Sequence, residues 1–219
     1  MPNYCDNELS IKGLQKDVVI FLNDFVEKDS SNGDLSFSMN KIVPQPYPCD
    51  KEGFDWYHWR LENWGCKWDI NNHEYVEDAY DQIVEADFDD CVECNIPYET
   101  PWGPNLEFLE RASKIYPDLE FNIRYYEPGC ELAGDFTYCN GNETENYQFH
   151  DGDLADFLIW AIEHDFESLD YVLGDMELED EEIINKINNY FNPREENEPD
   201  EDVLDLRNVF LGNNLPDPE

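Results

Sequence analysis

The sequence predicts an α+β protein: an antiparallel sheet with helices on one face, then an acidic, mainly helical C-terminal appendage. Three observations carry this reading. Strand-like alternation and helix-like spacing of apolar residues follow one another twice in the first 140 positions. Turn residues separate the segments. After residue 150 acidic residues become denser while apolar helix faces persist. We therefore expect residues 1–150 to form the α+β domain and residues 151–219 an acidic helical region. A chain of 219 residues suits one large domain or one domain with an appendage.

The opening MPNYCDNELSIKG mixes Tyr4, Leu9 and Ile11 with polar residues and stops at Gly13, as a strand and turn would. Leu14, Val18, Phe21, Leu22 and Phe25 then share one helical face. Ser30, Ser31, Asn32 and Gly33 end that helix. In LSFSMNKIV, Leu35, Phe37 and Met39 alternate as in a half-buried strand, and PQPYP breaks it, because proline cannot donate to the ladder. The first 43 residues read β-α-β.

The next stretch holds Trp56, Trp59, Trp64 and Trp68. Trp56 and Trp59 are spaced for one helix face, and NWGCKWDI reads as a strand after a glycine turn. YVEDAYDQIVEADFDDCVECN has no firm period, so irregular structure or a short helix is expected.

The second half is plainer. IPYETPW is extended, and Pro104 suits the first position of a helix. Leu106, Leu109, Ala112, Ile115 and Tyr116 mark its apolar seam, and Pro117 and Asp118 stop it. Leu119, Phe121, Ile123 and Tyr125 alternate along the next strand. EPGC has the Pro-Gly centre of a type II turn, and LAGDFTYCNG returns as its hairpin partner. Two such passes fit the split β-α-β arrangement.

From Asp151 to Glu219 there are 22 acidic and 3 basic residues, net −19; the first 150 carry the other 31 and 10, net −21. The C-terminal region still patterns as helices. Leu154, Phe157, Leu158, Ala161 and Ile162 form one face, and Ile183, Ile184, Ile187 and Phe191 another. Acid at the start of the second helix suits its dipole. NPREENEPDED reads as a solvated linker, and VLDLRNVFL as a last strand or docking helix.

Hydrophobic residues make up 41% and aromatics 15%, which is enough apolar mass for a core despite the charge. With 53 acidic residues against 13 basic, the formal charge is −40. Such a surface repels nucleic acid and membranes and favours basic partners. Solubility, a halophile's surface and acidic solvation of a fold account for charge as well. No apolar run approaches the ~20 residues of a membrane helix, and no signal pattern opens the chain, so the cytoplasm is expected. Seven cysteines, an odd number without an export signal, fit a reduced interior better than a disulfide framework.

Chemistry-bearing motifs are sparse. Cys5 on the first strand reads as a small core residue. Cys91 and Cys94 form a lone CxxC; zinc needs two more ligands, and acidic neighbours raise a thiol pKa rather than lower it. Neither Asp87-Phe88-Asp89-Asp90 nor Asp151-Gly152-Asp153 fits a twelve-residue calcium loop. The tryptophans lack the basic groove of a base-stacking platform. No nucleophile motif, HExxH or phosphate loop occurs. We expect no enzyme activity, no cofactor and no metal. Asn63, Trp64, Lys67, Trp68 and Asp69, polar and aromatic in turn around a glycine, are the residues best suited to a small ligand or a specific protein.

MPNYCDNELSIKG, WYHWRLENWGCKWDI and TPWGPNLEFLERASKIYPDLEFNIRYYEPGCELAGDF together resemble the YubB-type family of phage and plasmid proteins, in the right order over roughly residues 1–140. Tyr4, Cys66 and Gly103 depart from its pattern without breaking it. The resemblance implies a ferredoxin-like fold without the iron–sulfur centre and a mobile-element habitat; it implies no catalytic residues. The expected function is then a phage-type inhibitor. It would present a nucleic-acid-mimicking acidic surface to a basic host nuclease, restriction enzyme or CRISPR effector. Glu177, Glu179, Asp180, Glu181 and Glu182, with Asp87, Asp89 and Asp90, would contact that partner.

Overall fold

In the computed structural model, residues 3–28, 30–31, 33–46, 54–70, 75–149, 154–175 and 181–192 are described. The chain divides into two compact units, Met1–Phe149 and His150–Glu219. No helix among the described residues is long and apolar enough to cross a membrane.

The first unit is built on β1 (Tyr4–Leu14), which pairs antiparallel with β4 (Cys91–Pro101) on one side and β5 (Glu120–Glu127) on the other. β5 continues to β6 (Leu132–Cys139) and β7 (Asn142–Gln148), giving the order β4-β1-β5-β6-β7. Both neighbours of β1 run opposite to it, so β4 and β5 are parallel to each other with β1 between them. α5 (Leu106–Ile115) connects them, and this is the split β-α-β unit. The fold is α+β, as the sequence predicts.

The core lies on one face of this sheet. Leu9 and Ile11 of β1, Ile96 and Tyr98 of β4, and Phe121 and Ile123 of β5 are buried there against α1 (Gln15–Phe25) and α5. Alternation fixes this, because successive strand side chains point to opposite faces. Val18, Phe21, Leu22 and Phe25 of α1 are fully buried, and Phe25 stacks on Phe37 at 5.0 Å and on Phe108 at 5.6 Å. Each fully buried phenylalanine is worth about 1.5–3 kcal/mol of transfer free energy. Cys5 is fully buried among them, and burial pushes its thiol pKa well up.

Several predicted elements come out differently. The β-α-β start lacks its third member in the main sheet. β3 (Leu35–Phe37) pairs only with β2 (Val26–Lys28), directly after α1. Met39 does not continue the strand, because α2 (Met39–Ile42) starts there, its Met39 and Asn40 amides donating to the Asp69 carboxylate. NWGCKWDI is no strand either: Asn63 and Trp64 end α3 (Trp56–Trp64), and Gly65 turns the chain at φ 82°. Without a Cβ, glycine adopts that left-handed C-terminal position freely.

The acidic stretch does contain a short helix, α4 (Val76–Asp81), and β4 begins at Cys91, ahead of the extended IPYETPW. Pro104 stands before the N-cap Asn105 rather than at the first helical position. Phe108, Leu109, Ala112 and Ser113 are the buried residues of α5, while Ile115 is 52% exposed. EPGC is a 3-10 turn over Pro128–Cys130 in place of a type II turn. Buried Glu127 caps it by accepting the Gly129 and Cys130 amides at 2.9 and 2.8 Å, and Glu131 takes the positive φ. Asn140 and Gly141 (φ 49° and 72°) form a tight two-residue turn into β7, which the sequence reading lacks.

One free edge of the sheet is closed by a side chain. The Gln82 amide donates to the Asn95 carbonyl at 2.9 Å and accepts its N–H at 2.7 Å. It does for β4 what another strand would do.

In the second unit, α6 (Leu154–Glu163) buries Ala155 and the run Phe157–Ala161. α7 (Glu181–Phe191) buries Ile187 and Tyr190. Lys186 pairs with Asp156 at 2.7 Å, and the Tyr190 hydroxyl donates to Glu163 at 2.5 Å. VLDLRNVFL, NPREENEPDED beyond its Asn192, and Asp151-Gly152-Asp153 lie outside the described residues.

Candidate functional site

Two surfaces of the first unit combine unusual chemistry with access. The first is the tryptophan corner. Asp55 starts α3 by accepting the Tyr57 and His58 amides at 3.1 Å, and its carboxyl is held below the ordinary value by these amides and the His58 ring. Arg60 lies over the Trp56 ring at 5.2 Å and over Trp64 at 4.9 Å, while its Nε donates to Gln45 at 2.5 Å and its Nη1 to the Lys67 carbonyl at 3.1 Å.

The five sequence-predicted residues here do not act alike. Trp64 is buried, 1% exposed, and its indole N–H donates to the Val43 carbonyl at 2.9 Å. Asp69 accepts from Ser38 Oγ at 2.8 Å and from the amides of Met39, Asn40 and Ile70 at 2.6, 3.2 and 2.8 Å. Burial outweighs those bonds and raises its pKa. Asn63 Nδ2 donates to the Trp59 carbonyl at 2.7 Å. These three hold the segment together. Lys67 and Trp68 face outward: Lys67 Nζ sits 4.6 Å from the Trp68 ring centroid.

Trp68 has a partner that sequence reasoning missed. Trp102 stacks on it with centroids 5.9 Å apart and planes 26° apart, and the two rings are 37% and 49% exposed. Trp102 has a φ of 65°, a left-handed backbone that costs a bulky residue of order 1–3 kcal/mol. Surrounding bonds hold it. Its amide donates to the Asn3 carbonyl at 2.9 Å, Thr100 Oγ1 to the Gly103 carbonyl at 2.8 Å, and buried Asn7 to Thr100 Oγ1 at 2.8 Å. The signal in the sequence is TPWGP, a large aromatic fixed between Pro/Gly breakers.

The second surface is the sheet face turned away from α1 and α5. Strand alternation and register put Asp6 and Glu8 of β1, Glu93 and Glu99 of β4, Glu120 of β5, Asp135 of β6 and Glu145 of β7 on it. Lys12 and Arg124 share the face. Glu93, Glu120, Glu145, Lys12 and Arg124 line a shallow depression of about 470 Å³. Arg124 reaches Glu8 at 3.5 Å, and Ser10 Oγ donates to Glu93 at 2.7 Å.

The predicted acidic contacts fall elsewhere. Asp87, Asp89 and Asp90 are exposed in the turn before β4, where Lys16 pairs with Asp89 at 2.9 Å and Asp90 accepts the Asp87 amide at 3.0 Å. Glu181 and Glu182 are exposed in the first turn of α7. Glu177, Glu179 and Asp180 lie outside the described residues. Cys91 is exposed and Cys94 buried on opposite faces of β4, so the CxxC pair does not converge. No group of three metal-binding side chains occurs among the described residues.

The sheet order and the split unit define the ferredoxin-like class of α+β domain. Residues 64–156 match the family model described as the ferredoxin-like domain in Api92-like protein. A solved structure, the crystal structure of a protein api92 from Yersinia pseudotuberculosis, aligns over 70% of this chain and 100% of its own, at 10% identity and a TM-score of 0.41. No curated protein matches the chain.

Proposed function

We propose that the protein is a non-enzymatic binding protein that offers carboxylates to a basic, nucleic-acid-binding partner. A phage-type inhibitor would use such a surface against a host nuclease, restriction enzyme or CRISPR effector. The observation that carries this is the acidic sheet face, seven carboxylates to two cations on five adjacent strands. Same-face side chains recur roughly every 6.8 Å along a strand, and strands lie about 4.8 Å apart, so the face spans roughly 20 Å. Duplex DNA sets one charge per ~1.7 Å of its axis, about twelve over that span, and this face offers a basic groove the same sign of charge at lower density. The resemblance to mobile-element proteins supports the same reading. A second reading, favoured by the exposed Trp68–Trp102 stack, is a binder of a small ligand or specific protein whose acidity only keeps it soluble.

Affinity capture from bacterial lysate, at low and high salt and with duplex DNA as competitor, tests the proposal. A basic nucleic-acid-binding protein that is held at low salt and displaced by salt or DNA supports it. A partner that survives high salt and ignores DNA overturns it.

A further inference from the structure

We propose that the cleft between α1 and the end of α5 is a docking site for a basic protein segment, which inserts one leucine-sized aliphatic side chain between Ile20 and Ile115 and sets lysines or arginines against Asp17 and Asp118. This surface lies on the helical side of the sheet, apart from the acidic sheet face. The inference therefore goes beyond the acidic-binder reading and stands without it.

The strand register builds the cleft. Lys12 near the end of β1 pairs with Glu120 at the start of β5, which sets the first turns of α1 beside the turn that leads from α5 into β5. Asp17 and Ile20 line the cleft from α1, and Ile115, Tyr116, Pro117, Asp118 and Leu119 line it from the other side, around a volume of about 140 Å³. A cavity of about 150 Å³ takes a benzene-sized group, so this one suits a single side chain. Its lining is held in place from behind. Leu119 is buried, and Tyr116 stands edge-on to Phe21 at 5.1 Å while its hydroxyl donates to Asp24 at 2.9 Å. Little ordering is left for the bound state.

Ile20 and Ile115 are each 52% exposed, and neither belongs to the buried stripe of its helix. Val84 and Phe88 are more exposed still, and single exposed apolar side chains are ordinary. The two isoleucines differ in that separate elements carry them to one cleft, where an entering aliphatic side chain removes its own surface and both of theirs from water.

The charge at the rim selects what flanks that side chain. Asp17 and Asp118 are the charged residues that line the cleft. The C-terminal end of α5, with its partial negative charge, stands there too. The cations nearby in sequence are engaged elsewhere. Lys16, which Asp17 also attracts, pairs with Asp89 at 2.9 Å; Lys114 pairs with Glu110; and Arg111 Nη2 donates to the Glu62 carbonyl at 3.2 Å. An apolar centre with a charged rim is the anatomy of a protein interface. A second copy of this chain, at formal charge −40, would bring carboxylates against this rim and be repelled.

The test titrates three peptides, Lys-Lys-Leu-Lys-Lys, Lys-Lys-Ala-Lys-Lys and Glu-Glu-Leu-Glu-Glu, at low salt into the full chain carrying 13C-labelled isoleucine methyls. Ile20→Val and Ile115→Val assign the two cleft signals, and the signals of the buried Ile11, Ile96 and Ile123 report that each variant stays folded. We expect Lys-Lys-Leu-Lys-Lys to shift the Ile20 and Ile115 signals and to bind at least about fivefold more tightly than its alanine counterpart, the margin that half-burying a leucine side chain supplies. The acidic peptide will leave both signals in place. Asp17→Asn with Asp118→Asn will weaken Lys-Lys-Leu-Lys-Lys about twofold or more.

Equal binding of the two lysine peptides makes the contact purely electrostatic and overturns the cleft. Equal binding of the acidic peptide overturns the basic occupant. Binding lost with Glu93→Gln, Glu120→Gln and Glu145→Gln together, and kept with Asp17→Asn and Asp118→Asn, moves the peptide to the sheet face; it overturns the cleft and leaves the acidic reading standing. Shifts of Ile20 and Ile115 on concentrating the protein alone make a second copy the occupant and overturn the proposal, as does the absence of any shift with Lys-Lys-Leu-Lys-Lys.

Discussion

The Met39 amide donates to the Asp69 carboxylate at 2.6 Å, across thirty residues of sequence. With Ser38, Asn40 and Ile70 bonded to the same group, one carboxylate fastens the tryptophan segment to the turn that opens α2. Asp69→Asn removes the charge from these bonds and turns an amide N–H₂ toward donors. The expected loss is about 1–3 kcal/mol by chemical denaturation. The sign of the pH effect follows from burial. The folded pKa of Asp69 is raised, so the folded state holds a proton more readily than the unfolded chain. Its contribution to stability therefore falls as pH rises from the ordinary 3.8 through the raised value. Melting temperature against pH will show this fall in the native chain, and Asp69→Asn will flatten it.

Gly65 is expected to resist substitution. A Cβ there would meet Glu107 Oε2 at 2.2 Å and the Asn105 Cα at 3.2 Å, on a backbone at φ 82°. Gly65→Ala will cost about 1–2 kcal/mol. Adding Glu107→Ala will recover the steric share and leave the backbone share, so a double-mutant cycle in urea will give a non-zero coupling.

Thiol labelling will divide the described cysteines. Cys91 and Cys130 are exposed, whereas Cys5, Cys66 and Cys94 are buried, the last two with thiol pKa values pushed up to about 12, chiefly by burial. Iodoacetamide will modify Cys91 first in the native protein. Cys130 will lag, because Glu127 beside it raises its pKa, and the buried three will react only in denaturant.

Replacing Glu93, Glu120 and Glu145 together by Gln will leave stability within about 1 kcal/mol, since exposed substitutions rarely do more. The same variant will bind hexa-lysine more weakly and with a shallower salt dependence, measured by titration at several ionic strengths. A large loss of stability instead would make these carboxylates structural.

The half-buried elements were legible because one face carries its period. β1, α1, β5 and β6 are of this kind, and Phe21, Leu9 and Ile123 stand where alternation or 3.6 spacing puts them. β7 was not legible: NETENYQ has no apolar face, and only its Asn-Gly turn marks it. Met39 alternates like a strand residue, yet its amide is claimed by Asp69, a partner remote in sequence. Trp64 and Trp68 look equivalent in sequence, and the left-handed Gly65 between them sends one inward and one outward. Trp102 joins the corner through its stack on Trp68, which sequence spacing does not encode.

The Gln82 clamp on Asn95 has a consequence for self-association. An unpaired outer strand is a template on which a second chain can add itself, and stacks of such additions are how sheets grow into fibrils. Along β4 the amide of Gln82 occupies the donor and acceptor that an incoming strand needs first, and Pro97 and Pro101 withhold two more donors. At the opposite side β7 carries Glu143 and Glu145, so a second copy approaching it brings carboxylates against carboxylates. A polypeptide with so many extended segments is therefore expected to stay dispersed at high concentration, and shielding its charge with salt while Gln82 is replaced by Ala is the combination that should make it gel, as light scattering would read.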